Sequence, residues 1–299
     1  MQTEAYASPA RPAPGAVAIP PLGTRFRLGA VITPEQSAYL DRYGYLHFEQ
    51  VATPAEIEML TGEISRLEQA WIKEHRTSVF GIPLFFGRGP DGQPFLQRLA
   101  FTSAFSDKIR AFVRDARFEP IRRLIGEDAR VGDDEKDGVV INRYINVPGS
   151  AYPQLGWHTD GLRDLFYGRM PLRMLNIGLH LDACQRDNGG LRILPGSHTQ
   201  GFWSMALRKP YFFWHRPDPA ELCVETSPGD LTVHDGRMWH RVARSTRTGP
   251  ASLRRSMYVP YLTGPYEPKS DASKTPVYHT AGRWIREAKQ RVKARLQGS

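Results

Sequence analysis

Three histidines in this sequence are followed two residues later by an acid, and such a pair is a candidate for binding a metal ion. The pairs are His158 with Asp160, His47 with Glu49, and His180 with Asp182. In a β-strand, residues i and i+2 project to the same face, so a histidine and a carboxylate at this spacing can bind one ion. Only the first pair, in GWHTDG, is flanked by Gly156 and Gly161, which leave room for chain reversal and for a bound group.

A mononuclear iron site of the two-histidine, one-carboxylate type needs one further ligand and leaves three adjacent coordination positions open. His240, in SPGDLTVHDGRMWHRVARS, is the best candidate, because it begins a predicted strand after an Asp-Gly turn. The competing histidines are His198, His215, His234 and His279. His47 and Glu49 are interpreted as the polar step of a short strand between two predicted helices.

The pair of His180 and Asp182 is the serious rival for the metal. In RMLNIGLHLD, leucine and isoleucine alternate with Asn176, Gly178 and His180, so the strand has one apolar and one polar face. By the same alternation, Asn142 and Tyr144 share a face of VVINRYINV. We expect contacts to a bound cosubstrate on these two strands, with Asn176 and Asn142 as the candidates.

A candidate carboxylate receptor lies further along, in SLRRSMYVPYL. Arg254 and Ser256 share one face of this predicted strand, and Arg255 faces the other way. A guanidinium offers parallel donors to a carboxylate, and a hydroxyl two residues on adds one more. An exposed basic strand end is the alternative interpretation.

The elements around these residues predict an α+β fold with a mainly β core. Thr33 with Pro34 begins a helix that stops near Gly44, and Thr53 with Glu56 has the spacing of a capping box. Further helices are expected over residues 105–126. From about residue 138 to 262, short apolar runs alternate with turn residues, which indicates a β-sandwich or barrel. The motif GRGPDG matches a dinucleotide-binding pattern, but its prolines favour a hairpin turn.

The ends of the chain differ in composition from this core. Residues 1–24 are rich in Pro and Ala and predict a disordered leader, which leaves residues 25–299 as a single domain. A basic helix is expected over about 280–297, since RWIREAKQRVKAR holds six basic residues and one acid. The net charge of +9 can attract nucleic acid, but this segment carries much of the excess, and an exposed helix explains it better.

Other bulk features point to the compartment. No run of about 18 apolar residues predicts a membrane span, and the amino terminus lacks the layout of a signal peptide. Two cysteines cannot build a disulfide framework. We therefore expect a soluble, cytoplasmic protein.

Four separated segments resemble the phytanoyl-CoA dioxygenase (PhyH) family of non-haem iron, 2-oxoglutarate-dependent oxygenases. They are YGYLHFEQVATPAEI, GWHTDG, LHLDACQRDNGGLRILPGSHTQG and GDLTVHDGRMWHRVA with the following LRRSMYVPY. The segments occur in the order typical of that family, and the resemblance runs from about residue 33 to 262. It implies a double-stranded β-helix, a cupin-like jelly roll, with N-terminal helices packed on it.

The resemblance also implies the site and its chemistry. The metal ligands would be His158, Asp160 and His240, and Arg254 would bind the far carboxylate of 2-oxoglutarate. The cofactors would be Fe(II), 2-oxoglutarate and O2, and the reaction would hydroxylate a C–H bond of a small molecule with release of succinate and CO2. Because Asp160 is present, hydroxylation is favoured over halogenation; desaturation and ring formation stay open.

The sequence leaves some alternatives open. The interval RVARSTRTGPAS before the arginine is longer than is usual in the family, so Arg255 competes with Arg254 as the carboxylate anchor. A non-catalytic protein on the same scaffold, with its basic tail on nucleic acid, and a zinc or manganese cupin are the rival functions. The substrate could be anionic or aromatic, since several arginines and the aromatic stretch Tyr211 to Trp214 could line an entrance; a surface role for most of these residues is the alternative interpretation. The arginines are Arg88, Arg98, Arg163, Arg169 and Arg173.

Overall fold

The structure is a computed structural model of the 299-residue chain, and it describes residues 17–89, 91–161, 164–165, 168 and 170–276. The helices in this part are α1 (Pro34–Tyr43), α2 (Pro54–Lys73), α3 (Asp107–Val113), α4 (Glu119–Arg122) and α5 (Phe202–Leu207). The strands are β1 (Tyr45–Phe48), β2 (Ser78–Val79), β3 (Ile82–Pro83), β4 (Phe85–Arg88), β5 (Pro94–Leu99), β6 (Arg130–Val131), β7 (Val140–Tyr144), β8 (Leu155–His158), β9 (Met174–His180), β10 (Gly190–Ile193), β11 (Leu222–Cys223), β12 (Leu231–Asp235), β13 (His240–Ala243) and β14 (Arg254–Leu262).

The first two helices begin where the sequence predicts. Thr33 and Thr53 each accept a hydrogen bond from the backbone three residues on, and the side chain at that position binds back, so both capping boxes are formed. Helix α1 ends at Gly44, whose φ of 82° lies in the left-handed region. His198 packs against the face of Gly44 where a Cβ would sit, so the residue must be glycine for two reasons.

Two antiparallel sheets form the core and confirm the predicted jelly roll. The larger sheet has the order β1-β12-β9-β14-β7-β5-β4, with β6 added beside β14. The smaller sheet has the order β11-β10-β13-β8. Strands β9, β12 and β14 of the larger sheet alternate over most of their length. Asn176, His180, Thr232, His234, Arg254 and Ser256 lie on the face toward the smaller sheet, and most apolar side chains lie on the opposite face.

The outer face of the larger sheet carries the main hydrophobic core. Apolar side chains of β9, β12 and β14 pack there against α3 and the segment after it; they are Ile177, Leu179, Leu231, Met257, Val259 and Tyr261, with Phe112, Val113 and Phe118 opposite. Helix α2 covers β5 with Leu60, Ile64, Leu67 and Trp71, all buried. The helices therefore cover the outer, apolar face of the larger sheet and leave its inner, polar face available for a site.

The strand-rich core begins earlier in the chain than the predicted range of 138–262. Strand β1 pairs with β12, where Tyr45 lies opposite His234, and β5 pairs with β7. These strands enter the larger sheet through long-range pairing, which a short apolar run does not reveal on its own. The GRGPDG motif connects β4 and β5, which confirms the hairpin interpretation.

The two ends of the chain differ in what the structure describes. Residues 1–16 and 277–299, which include the predicted basic helix, lie outside the described residues. The last part of the predicted disordered leader, residues 17–24, has a defined path, because the Gly23 amide donates to the hydroxyls of Tyr39 and Tyr45. None of the helices in the described part is both long enough and apolar enough to cross a membrane.

Two tryptophans on helices offer a matched test of this packing. Trp71 in α2 is 2% exposed and contacts the ring of Phe105, whereas Trp203 in α5 is 73% exposed. Trp71→Ala should lower the free energy of unfolding by about 3–5 kcal/mol, because a large buried side chain is lost. Trp203→Ala should change it by less than about 0.5 kcal/mol. Urea denaturation followed by circular dichroism measures both, and equal losses would contradict the assigned burial.

Candidate metal centre

Two histidines face each other on neighbouring strands of the smaller sheet. His158 ends β8, His240 begins β13, and the two are direct cross-strand partners whose ring centroids lie 4.1 Å apart. The Nδ1 atoms lie 2.9 Å from the Gly156 carbonyl and 3.0 Å from the Met238 carbonyl. Because Nδ1–H donates to a carbonyl in each ring, each Nε2 presents a lone pair, which is the form that binds a metal.

Asp160 completes a group of three ligand atoms. It follows β8, and its amide donates to the Gly236 carbonyl at 2.8 Å, which fixes the turn. One atom each from His158, Asp160 and His240 lie within 4.8 Å of one another, and Oδ1 of Asp160 is 3.8 Å from Nε2 of His240. Two imidazole nitrogens and one carboxylate oxygen on one side of a point are the donor set of a non-haem iron centre with open positions.

Burial and mutual charge set the protonation of these groups. Burial lowers the pKa of His158, and it lowers the pKa of His240 further, with the neighbouring His158 adding to the effect. Burial raises the pKa of Asp160, but the surrounding histidines, His240 first, outweigh it and hold this pKa below its usual range. The pKa shifts of all three groups point toward loss of their protons, and two neutral imidazoles with one carboxylate are the form that a metal ion requires.

The larger sheet contributes polar side chains directly behind Asp160. Asn176 of β9 donates through Nδ2 to Oδ2 of Asp160 at 3.2 Å. His234 of β12 lies next to it, with Nε2 at 3.3 Å from the same oxygen. The structure shows this hydrogen bond of Asn176 to Asp160, and its contact with a cosubstrate stays a prediction.

Arg254 begins β14 and is buried between the two sheets. Its side chain donates to the carbonyls of Ala243 at 2.7 Å and Pro153 at 3.2 Å. Its Nε has no hydrogen-bond partner, and it makes no ion pair with any acid of the described residues. A Cβ on Gly189 would lie 2.2 Å from this guanidinium, so glycine leaves the space that Arg254 occupies. Burial lowers the pKa of Arg254 from its ordinary value.

Arg255 points away from this space. Its Nε and Nη2 donate to the two carboxylate oxygens of Asp182, each at 2.8 Å. Ser256 returns to the inner face, where it lies opposite Asn142 of β7 and His180 of β9. The neighbouring arginines thus differ. Arg255 is paired with Asp182, whereas Arg254 is buried and has no acidic partner in the described part of the chain.

The remaining candidates of the sequence analysis take other positions. His180 lies 3.0 Å from the Thr232 hydroxyl, and burial lowers its pKa to about 3. His47 lies 3.0 Å from the Asp230 carboxylate. His198 lies 3.2 Å from the Asp41 carbonyl, and His279 is outside the described residues. Among the candidates within the described residues, His234 lies beside the three ligand atoms. Its inward alternation with Thr232 in LTVHD was the signal that could have identified it.

Solved structures of known proteins share the fold at low sequence identity. The epimerase SnoN, in complex with Fe3+, α-ketoglutarate and nogalamycin RO, is 18% identical with a TM-score of 0.53, over 78% of this chain and 93% of that one. HygX from Streptomyces hygroscopicus, with nickel and 2-oxoglutarate bound, is 17% identical with a TM-score of 0.55, over 77% and 86%. EvdO2 from Micromonospora carbonacea var. aurantiaca, complexed with 2-oxoglutarate, is 16% identical with a TM-score of 0.54, over 82% and 98%.

The family assignment comes from the sequence. The profile of the family described as phytanoyl-CoA dioxygenase (PhyH) matches residues 40–249, which is 210 of the 299 residues and includes the three candidate ligands. No curated protein sequence matches the chain significantly. The chain therefore belongs to the phytanoyl-CoA dioxygenase family, and it is an oxygenase whose His-Asp-His group is consistent with Fe(II), 2-oxoglutarate and O2.

Proposed function

We propose that this protein is an Fe(II)- and 2-oxoglutarate-dependent dioxygenase that hydroxylates a C–H bond of a small molecule. The observation that carries the proposal is the pairing of three converging ligand atoms with a buried arginine that has no acidic partner among the described residues. A cytoplasmic location, predicted from the sequence, stays part of the proposal.

The ligand atoms fit Fe(II) by number, type and protonation. His158, Asp160 and His240 would bind the ion on one side and leave adjacent positions for 2-oxoglutarate and O2. When bound, these groups supply the chemistry: 2-oxoglutarate and O2 yield succinate and CO2, and one oxygen atom enters the substrate's C–H bond. The protein's part is to hold them in a defined orientation and to keep water out.

Arg254 would bind the far carboxylate of 2-oxoglutarate. Its guanidinium reaches the Ala243 carbonyl, three residues along β13 from His240. At about 3.3 Å per residue of strand this is a separation of roughly 10 Å, on the scale of a five-carbon dicarboxylate bridging a metal and a guanidinium. The buried Nε without a partner supports the assignment, because a dicarboxylate would satisfy the polar group and neutralise the buried charge.

The position of Phe212 supports the proposal that the substrate has an aromatic or otherwise apolar part. Its ring stacks on His158 with centroids 4.9 Å apart, yet the side chain is 39% exposed, so it forms a wall between the metal centre and the outside. Its φ of 61° is unusual for a bulky residue and costs about 1–2 kcal/mol. Backbone hydrogen bonds of Phe212 and Trp214 to Trp157, on the edge strand β8, hold this conformation.

The charges near the chain's surface favour an aromatic over an anionic substrate. Arg98 and Arg173 were candidates for attracting an anion, but they pair with Asp137 and Asp41. The Arg88 side chain donates to a backbone carbonyl, whereas Arg163 and Arg169 lie outside the described residues. We therefore propose that an aromatic or apolar group of the substrate packs on Phe212.

Substitution of Asp160 and of Asp182, the acids of two H-x-D pairs, tests the assignment of the metal ligands. Asp160→Ala should weaken Fe(II) binding more than about 100-fold, because loss of an outer-shell partner alone commonly costs 10–100-fold. Asp182→Ala is the matched control and should bind Fe(II) like the unchanged protein, since Asp182 pairs with Arg255. Anaerobic Fe(II) titration with metal analysis measures both. Unchanged binding by Asp160→Ala would exclude this centre, and zinc or manganese in the purified protein would favour the rival cupin.

Two neighbouring arginines test the cosubstrate anchor. Arg254→Leu should raise the KM for 2-oxoglutarate about 30-fold or more, because a buried charge pair is lost, and Fe(II) content should stay the same. Arg255→Leu should raise this KM less than about threefold, a change that would cost well under 1 kcal/mol. Succinate release is the measurement. If Arg255→Leu has the larger effect, the assignment is shifted by one residue.

A substrate screen tests the reaction and the role of Phe212. Succinate release above the substrate-free rate should be stimulated by molecules with an aromatic ring, and their products should contain one added oxygen atom. Phe212→Ala should lower kcat/KM for those molecules by about tenfold, as expected for the loss of one aromatic pair. Phe213→Ala serves as the control, and substrate-free turnover shows that the centre is intact. Stimulation only by aliphatic molecules would contradict the proposed wall.

A further inference from the structure

A third buried histidine stands beside the candidate metal centre. His234, on β12, is 1% exposed, and its ring centroid lies 4.6 Å from that of His240. Its Nε2 is 3.3 Å from Oδ2 of Asp160. Neither ring nitrogen has a hydrogen bond of good geometry to the described residues. Burying an imidazole whose nitrogens lack hydrogen bonds costs free energy of folding. The position of His234 beside the Asp160 carboxylate therefore suggests that it serves the metal centre.

The two oxygens of Asp160 have different surroundings. Oδ1 lies nearest to His240 and belongs to the group of three ligand atoms. Oδ2 lies on the other side, 3.2 Å from Nδ2 of Asn176 and 3.3 Å from Nε2 of His234. Asn176 donates to Oδ2, and Nε2 of His234 lies close enough to add a second donor to the same oxygen. Two donors on Oδ2 would hold the carboxylate plane and leave Oδ1 free to bind a metal through one oxygen only.

His234 differs from the two ligand histidines in how its ring is held. His158 and His240 donate from Nδ1 to backbone carbonyls, which leaves Nε2 as the lone pair. Nδ1 of His234 has no backbone carbonyl as acceptor within the described part of the chain. Nothing there favours the tautomer with the proton on Nδ1, so the ring can carry its proton on Nε2. Nε2 lies 3.3 Å from Oδ2 of Asp160. At this distance the lone pair of an unprotonated Nε2 would repel the lone pairs of Oδ2, whereas a protonated Nε2–H is attracted to Oδ2.

A role as a fourth metal ligand fits the geometry less well. The group of atoms within 4.8 Å of one another contains His158, Asp160 and His240, and His234 is not part of it. Four protein ligands would also leave only two of six positions, too few for 2-oxoglutarate through two atoms together with O2.

We propose that His234 is a positioning residue for the metal centre. Its Nε2–H donates to Oδ2 of Asp160 and, together with Asn176, fixes the carboxylate so that Oδ1 binds the ion. The inference rests on the proposed metal centre and adds to it a residue that the three-ligand pattern does not contain.

Co(II) titration of the metal-free protein tests this role by affinity and by visible absorption, without turnover. Three variants at position 234 separate the donor from the shape of the side chain. His234→Phe keeps a ring and removes the donor. His234→Asn and His234→Gln are both amides, but only the glutamine amide reaches the place of Nε2.

His234→Phe and His234→Asn should each weaken Co(II) binding about 10–100-fold, the usual effect of losing an outer-shell partner. His234→Gln should stay within about threefold of the unchanged protein. Thermal unfolding of the metal-free variants checks the fold, and the two amides give the comparison even if the phenylalanine variant does not fold.

Three results would overturn the proposal: unchanged affinity in His234→Asn, equal losses in the asparagine and glutamine variants, or a visible spectrum showing that each substitution removes a ligand from Co(II). Failure of the metal centre itself looks different, because the unchanged protein would then bind no Co(II), or Asp160→Ala would bind it as well as the unchanged protein does.

Discussion

The pairing of β8 with β13 is the constraint on which the site depends. It sets His158 directly opposite His240, and the turn after β8 brings Asp160 to the same point. Burial alone would favour a protonated Asp160, but the neighbouring histidines keep its pKa below the usual range. The lowered pKa values of His158, His240 and Asp160 favour the deprotonated forms of all three groups, and these are the forms that bind a divalent cation.

Both sheets contribute side chains to the candidate metal centre. The smaller sheet provides both histidine ligands, whereas the larger sheet provides Asn176 and His234 behind Asp160 and the buried Arg254 further away. Because α2 and α3 cover the outer face of the larger sheet, its inner face can carry polar groups without exposing the hydrophobic core. The alternation of residues along β9, β12 and β14 thus places an apolar layer on the outer face of the larger sheet and polar side chains on its inner face.

Local patterns in the sequence predict much of this arrangement. Both capping boxes, the hairpin at GRGPDG, the alternating faces of β9 and the family itself follow from short segments. Features that depend on long-range strand pairing cannot be predicted from short segments. The entry of β1 and β5 into the larger sheet and the position of His234 beside Asp160 depend on which strands become neighbours. Alternation shows that His234 faces inward, and the register with β9 sets it opposite Asn176. Only the packing of the two sheets brings both residues to Asp160.

The most direct test of the central claim is a crystal structure of the protein grown without oxygen in the presence of Fe(II) and 2-oxoglutarate. We expect one ion bound by Nε2 of His158, Nε2 of His240 and Oδ1 of Asp160, with the far carboxylate of 2-oxoglutarate on Arg254. An ion held by a different set of side chains, or a 2-oxoglutarate whose far carboxylate lies away from Arg254, would contradict it.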